Sequence, residues 1–115
     1  GGRIKPGPRD RVMLERVAAR MQAEYAQDLR LDNLAAGVGL TIFQLIGLFK
    51  RTVGLTPHAY LTQVRLGVAC RYLRRAAAPA EVATAVGFYD QSALNKHFKR
   101  CYGITPLQFA RAAAA

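Results

Sequence analysis

The chain is predicted to be all-α, with seven helices in two helix-turn-helix lobes joined by a long central helix. Three observations predict it. Apolar residues recur at helical spacing, and an alternating strand pattern is found nowhere along the 115 residues. Helix start and stop signals punctuate the sequence at short intervals. And one stretch is written twice: L-I-G-L-F-K-R-T-V-G-L-T-P-H-A-Y from Leu45 returns as L-N-K-H-F-K-R-C-Y-G-I-T-P-L-Q-F from Leu94. The offset is 49 here. Upstream it is 48, where Leu34-Ala35 and Val38-Gly39 match Val82-Ala83 and Val86-Gly87.

Residues 1–9 read as a flexible lead-in or linker end, in which Gly1-Gly2 could be a cloning remnant. The structured domain is expected over 10–112, with lobe one at about 10–56. Met13, Val17, Met21 and Tyr25 recur every fourth residue, so 10–26 reads as an amphipathic helix with Asp10 as its N-cap. A short helix follows over 31–38 and stops at Gly39. Thr41 opens a third helix, and Gln44 three places on completes a capping box. Gly54 ends it, and Thr56 caps a fourth helix with Pro57 in the first turn, where a missing N–H costs nothing.

That connecting helix should run over about 57–75, with Tyr60, Leu61, Val64, Ala69 and Leu73 on its buried side. Lobe two, about 79–112, repeats the plan. A short helix covers 80–86, Gly87 makes the turn, and a helix of about 90–102 is closed by Gly103. Thr105-Pro106 begin the last helix through Arg111, and 112–115 are expected to fray.

The net charge of +10 is unevenly placed. Residues 1–32 hold seven Lys/Arg against five Asp/Glu, whereas 33–115 hold ten against two. The excess sits on the repeated part and favours a polyanion, by phosphate neutralisation and counterion release. A merely soluble basic surface is the plainer alternative. No apolar run approaches the roughly 18–20 residues of a membrane span, and no signal-peptide pattern opens the chain, so a cytoplasmic place is expected.

Cys70 and Cys101 lie in helical stretches, where a thiol serves as a small apolar side chain. His97 and Cys101 stand four apart, but two ligands make no zinc site, and CxxC and HExxH are absent. No nucleophile–base–acid set and no phosphate-cradling glycine loop occurs. No catalytic residue, metal or cofactor is therefore expected.

A short helix, a turn at Gly and a second capped helix form a helix-turn-helix, whose second helix enters the major groove. Leu45, Leu48 and Phe49 form the inward stripe of the first such helix; Leu94, Phe98 and Tyr102 form that of the second. The opposite faces carry the candidates for touching bases: Ile42, Phe43, Ile46 and Gly47 in lobe one, Gln91, Ser92, Asn95 and Lys96 in lobe two. Thr41, Gln44, Lys50, Arg51, Lys99 and Arg100 are the phosphate candidates, and Lys-Arg holds the identical place in both copies.

These residues carry a family resemblance. Over about 11–112 the chain resembles the DNA-binding region of the AraC/XylS transcription regulators. The carrying residues are Leu34-Ala35, Phe49-Lys50-Arg51, Gly54-Leu55-Thr56-Pro57 with Tyr60, and Arg65-Leu66. To these add Val82-Ala83, Val86-Gly87-Phe88, Asp90-Gln91-Ser92, Leu94, Phe98-Lys99-Arg100 and Gly103-Ile104-Thr105-Pro106. The resemblance implies double-stranded DNA as partner, with two recognition helices placed in successive major grooves, roughly 34 Å apart. It implies regulation of bacterial promoters, mostly activation, with contacts to RNA polymerase. Many members also carry an N-terminal ligand-sensing domain, which is missing from this sequence; some relatives are complete at about this length.

The two copies are unequal. Asn and Gln pair bidentately with adenine, and Lys reaches guanine O6/N7, so lobe two can read base edges. In lobe one, relatives usually place polar or basic residues where Ile46 and Gly47 stand. Three readings stay open for that lobe: thymine methyls and shape, binding without sequence selection, or an apolar face that meets a protein. For the whole chain, the rival to DNA binding is a helical protein-interaction module with an incidental basic surface. RNA binding is a weaker third reading, because the aromatics look inward.

Overall fold

The computed structural model describes residues 7–115, and among them it contains seven α-helices and no strand. The helices are α1 (Pro8–Glu24), α2 (Leu31–Ala36), α3 (Ile42–Thr52), α4 (Pro57–Arg74), α5 (Pro79–Ala85), α6 (Gln91–Tyr102) and α7 (Pro106–Ala114). The chain divides into two compact units, and the division falls inside α4, after Leu61.

Most of the lead-in expected over 1–9 lies outside the described residues, but Pro8 and Arg9 belong to α1. The N-cap is Gly7, not Asp10, and it makes no side-chain cap. Proline explains the earlier start: its fixed φ is already helical, and it has no N–H to leave unsatisfied. Asp10 falls inside the first turn, where a carboxylate favours the positive end of the helix dipole. At its other end α1 stops at Glu24, two residues before the expected 26.

The first unit closes around Val17 and Met21 of α1, Leu34 and Ala35 of α2, Leu45 and Phe49 of α3, and Leu61 of α4. Tyr60 covers one side, its ring meeting Phe49 edge-on at 5.7 Å between centroids. Helix α2 ends at Ala36, short of the expected Val38, because the chain has to turn. Gly39 takes φ +73, and Leu40 N–H donates to the Ala35 carbonyl at 2.9 Å. The same turn recurs in the second unit, where Gly87 takes φ +98 and Phe88 N–H donates to Ala83 at 2.9 Å.

Capping follows the sequence signals. Thr41 Oγ1 accepts from Gln44 N–H at 3.1 Å, and Gln44 Oε1 accepts from Thr41 N–H at 2.9 Å. Thr105 and Gln108 repeat the box at the start of α7, and Thr56 Oγ1 accepts from Ala59 N–H at 3.1 Å at the start of α4. Each such cap is worth about 1 kcal/mol. Gly54 and Gly103 follow α3 and α6 with φ +85 and +81, a left-handed stop that a side chain would oppose.

In the second unit Leu66, Val68, Ala69 and Leu73 of α4 are buried, as are Val82 and Ala83 of α5 and Leu94 and Phe98 of α6. Of these, Leu66 and Val68 were not expected on the buried side of α4, while Val64 and Tyr60 are only half-buried. Phe98 meets Phe109 edge-on at 5.6 Å, and the Arg74 guanidinium lies over the same Phe109 ring at 5.5 Å. Tyr102, expected in the inward stripe, is 44% exposed, yet its ring meets Phe98 edge-on and its hydroxyl hydrogen-bonds with Cys70 of α4. As the last residue of α6 it stands at the edge of the core. Helix α7 continues to Ala114, past the expected fraying point, as a run of alanines, the best helix formers, permits.

Candidate nucleic-acid interface

In the first unit, α2 and α3 pack together across the Gly39 turn, and α1 also touches α3. With Leu45, Leu48 and Phe49 held inward, the 3.6-residue period sends Phe43, Gly47 and Lys50 outward and Ile46 to the flank. Ile42 shares the row of Leu45 and Phe49 and is exposed as the first residue of the helix. Phe43 is 85% exposed, Ile42 is exposed, and Ile46 and Gly47 are half-buried. Lys50 and Arg51 are exposed in the last turn, where cations favour the negative end of the helix dipole. Thr41 and Gln44 are exposed too, but each spends an oxygen on the capping box, which leaves the Thr41 hydroxyl proton and the Gln44 amide NH₂ as donors.

The Arg51 guanidinium does not extend away from the helix. A Cβ placed on Gly47 would stand 2.8 Å from Arg51 Nη1, so the guanidinium lies over the glycine.

In the second unit, α5 packs on α6, and α6 on α7. Asp90 Oδ1 accepts from Ala93 N–H at 2.9 Å and fixes the start of α6. Gln91, Ser92 and Lys96 are exposed and Asn95 is half-buried. Asn95 and Lys96 join Lys99, Arg100 and Thr105 in lining one open groove of about 540 Å³. Thus two base-reading candidates, Asn95 and Lys96, share one concavity with Lys99 and Arg100, which makes three cations in all. Its walls can face an anion with charge while an amide presents both a donor and an acceptor.

One exposed residue of the turn before α6 was not singled out from the sequence. Tyr89 is 92% exposed and immediately precedes the cap of α6. It is the extra residue of the second turn: two steps separate Gly39 from the cap Thr41, three separate Gly87 from the cap Asp90. The change of offset from 48 to 49 between the copies was the signal for it.

No helix among the described residues is long and apolar enough to cross a membrane. Nor do the described residues gather three His, Cys, Asp or Glu around a point that could hold a metal ion.

A family model for a helix-turn-helix domain matches residues 34–112. A putative AraC-like transcription regulator of Streptomyces antibioticus is 40% identical over 87 residues, which is 75% of this chain and 29% of that protein. Among solved structures, a transcriptional regulator with an AraC-type DNA-binding domain from Chromobacterium violaceum superposes with a TM-score of 0.84 at 26% identity. It covers 90% of this chain and 94% of its own. The DNA-binding domain of AdpA, a global transcriptional factor solved in complex with a target DNA, gives 0.78 at 27% identity, covering 87% and 90%. The chain spans about a third of the length of the curated relatives it matches. With the doubled helix-turn-helix, the paired Phe-Lys-Arg segments and these matches together, the chain belongs to the AraC/XylS family of helix-turn-helix DNA-binding domains.

Proposed function

We propose that this chain binds double-stranded DNA sequence-specifically, with α3 and α6 entering successive major grooves, and that it thereby regulates bacterial transcription. The observation that carries the reading is the pairing of exposed cations at one place in both copies, Lys50-Arg51 and Lys99-Arg100, each at the end of a helix whose other face is core. A basic surface that arose incidentally has no reason to repeat with the fold. Gln91, Ser92, Asn95 and Lys96 then read base edges, while Lys50, Lys99 and Arg100, with the donors of Thr41 and Gln44, hold phosphates. In the first unit Ile42, Phe43 and Ile46 meet thymine methyls rather than hydrogen-bonding groups.

The chain works without a cofactor and carries no catalytic step. We place it in the cytoplasm, where promoters are, acting as an activator through contact with RNA polymerase. In the whole protein a sensing segment supplies the regulation, a reading supported by the greater length of the relatives.

A retardation assay with random-sequence duplex DNA across a salt series tests the binding. Affinity should fall steeply and linearly on a log–log plot. Binding that ignores salt, or no binding at all, would sink the proposal in favour of a helical protein-interaction module, the reading that the 85% exposed Phe43 would then support. In vitro transcription from a promoter holding a selected site separates activation from repression.

A further inference from the structure

Gly47 is the anomaly of the first recognition helix. It stands in the interior of α3, where a glycine weakens the helix relative to alanine. Its backbone makes no turn and it has no positive φ. What its bare Cα does provide is room. Side chains on a helix lean toward the N-terminus, so the surface over one residue is covered by the residue a turn later. For Gly47 that residue is Arg51, whose Nη1 and Cζ lie 2.8 and 3.9 Å from the point a Cβ would take.

This seat moves the guanidinium. With about 100° between successive residues, Arg51 emerges at the flank of the outward face, while Gly47 stands nearer its middle, beside Phe43 and Lys50. Lying over Gly47, the guanidinium is carried from the flank toward the middle. The second unit has no equivalent seat: Lys96 and Arg100 stand at the positions of Gly47 and Arg51, and the lysine's own side chain fills the place. Around the seat, Phe43 and Ile46 offer a base pair nothing but apolar contact.

We propose that Arg51 is the base-reading residue of the first unit, selecting a guanine from its seat over Gly47 rather than holding a phosphate. The inference rests on the DNA-binding reading above. The rigid fork of an arginine matches guanine O6 and N7, whereas lysine offers only a point charge. Gly47 is then a positioning residue, and its cost in helix stability is offset by what the seat does for Arg51.

The test begins with sites selected from a random pool by the unaltered protein. Its affinity is then measured for the selected duplex, for every single-base variant of the first unit's half of the site, and for a random duplex. Arg51→Ala, Arg51→Lys and Gly47→Leu are compared on the same set, with circular dichroism to show equal helix content. The selected site should hold a guanine under the first unit. Arg51→Lys should abolish its preference, by roughly 5- to 150-fold, the worth of one bidentate pair, while random-duplex affinity and salt slope stay put. Gly47→Leu should remove the same preference with Arg51 still present, and adding Arg51→Ala to it should cost no further discrimination. Arg51→Lys keeping the preference, Arg51→Ala weakening every duplex by one common factor, or no guanine under the first unit would each overturn the proposal. If the unaltered protein binds no duplex, the DNA-binding reading has failed, and that is seen before any variant is compared.

Discussion

Asn95 and Ile46 occupy equivalent places in the two copies and differ in what they can tell a base pair. An amide can pair bidentately with adenine N6 and N7; a butyl group can only touch a thymine methyl. Asn95→Ala and Gln91→Ala should therefore each relax preference at a narrow set of base pairs by about 1–3 kcal/mol, whereas Ile46→Ala should change preference less. Competition between selected and single-base-altered duplexes checks this. If Asn95→Ala leaves preference untouched, the amide faces something other than a base. The placement of Asn95 and Ile46 was legible only in part: periodicity puts them beside the inward stripe, and both are half-buried. Gln91 shares the row of Leu94 and Phe98 and is exposed because it opens α6. Where Arg51 sends its guanidinium was not legible. It depends on side-chain direction and on what the preceding turn leaves uncovered, and a glycine read by itself looks only like a weak point in a helix. Tyr102 faces inward to Phe98 and Cys70 as its spacing implies, but its 44% exposure was not legible, because periodicity says nothing of how far the core extends behind the last residue of a helix.

At the scale of elements, two backbone sites break local rules and can be tested apart from DNA. Ala76, just past the end of α4, has φ +64, while among the described residues Gly39, Gly54, Gly87 and Gly103 supply the other positive φ values. Its neighbours make the bonds such a stop requires, with Ala76 N–H donating to Leu73 at 3.1 Å and Ala77 N–H to Tyr72 at 3.2 Å. A left-handed alanine costs roughly 1–2 kcal/mol, part of which glycine gives back through the entropy of the unfolded chain. Ala76→Gly should raise stability by about 0.5–1 kcal/mol in urea unfolding; a loss would show that the alanine methyl is held by contacts worth more than the strain. Gly67, within α4, makes the opposite case. A Cβ there would meet nothing within 4 Å, so Gly67→Ala should stabilise by about 0.5–1 kcal/mol through helix propensity alone. A thermal midpoint that falls instead would point to a kink or close approach at Gly67 that the helix needs. The element count was readable because capping boxes, prolines and glycines mark the ends so plainly. The start of α1 was misread because Asp10 and Pro8 both signal a start, and the proline, already helical in φ, takes the earlier position.

For the molecule as a whole, the duplication and the charge support one reading only if the cations act together on the phosphate backbone. Lys50 and Lys99 are exposed, lie in the last turns of α3 and α6, and stand 49 residues apart in matching sequence. A phosphate contact carries no sequence information, so its loss should weaken a selected duplex and a random one alike. Lys50→Ala and Lys99→Ala should each lower both affinities by similar factors. Each should also reduce the log–log salt slope by roughly one unit, since about one counterion fewer is released. The double variant should lose about two units and should do so additively, because the two residues lie in separate compact units. Fluorescence anisotropy of a labelled duplex between low and moderate salt measures all four slopes. A slope unchanged in either single variant would mean that lysine faces solvent when DNA is bound, and the repeat would then mark a shared fold without a shared grip. A loss confined to the selected duplex would make that lysine a base reader. Equal losses from both units would show that the two copies hold DNA equally well and differ only in what they read from it.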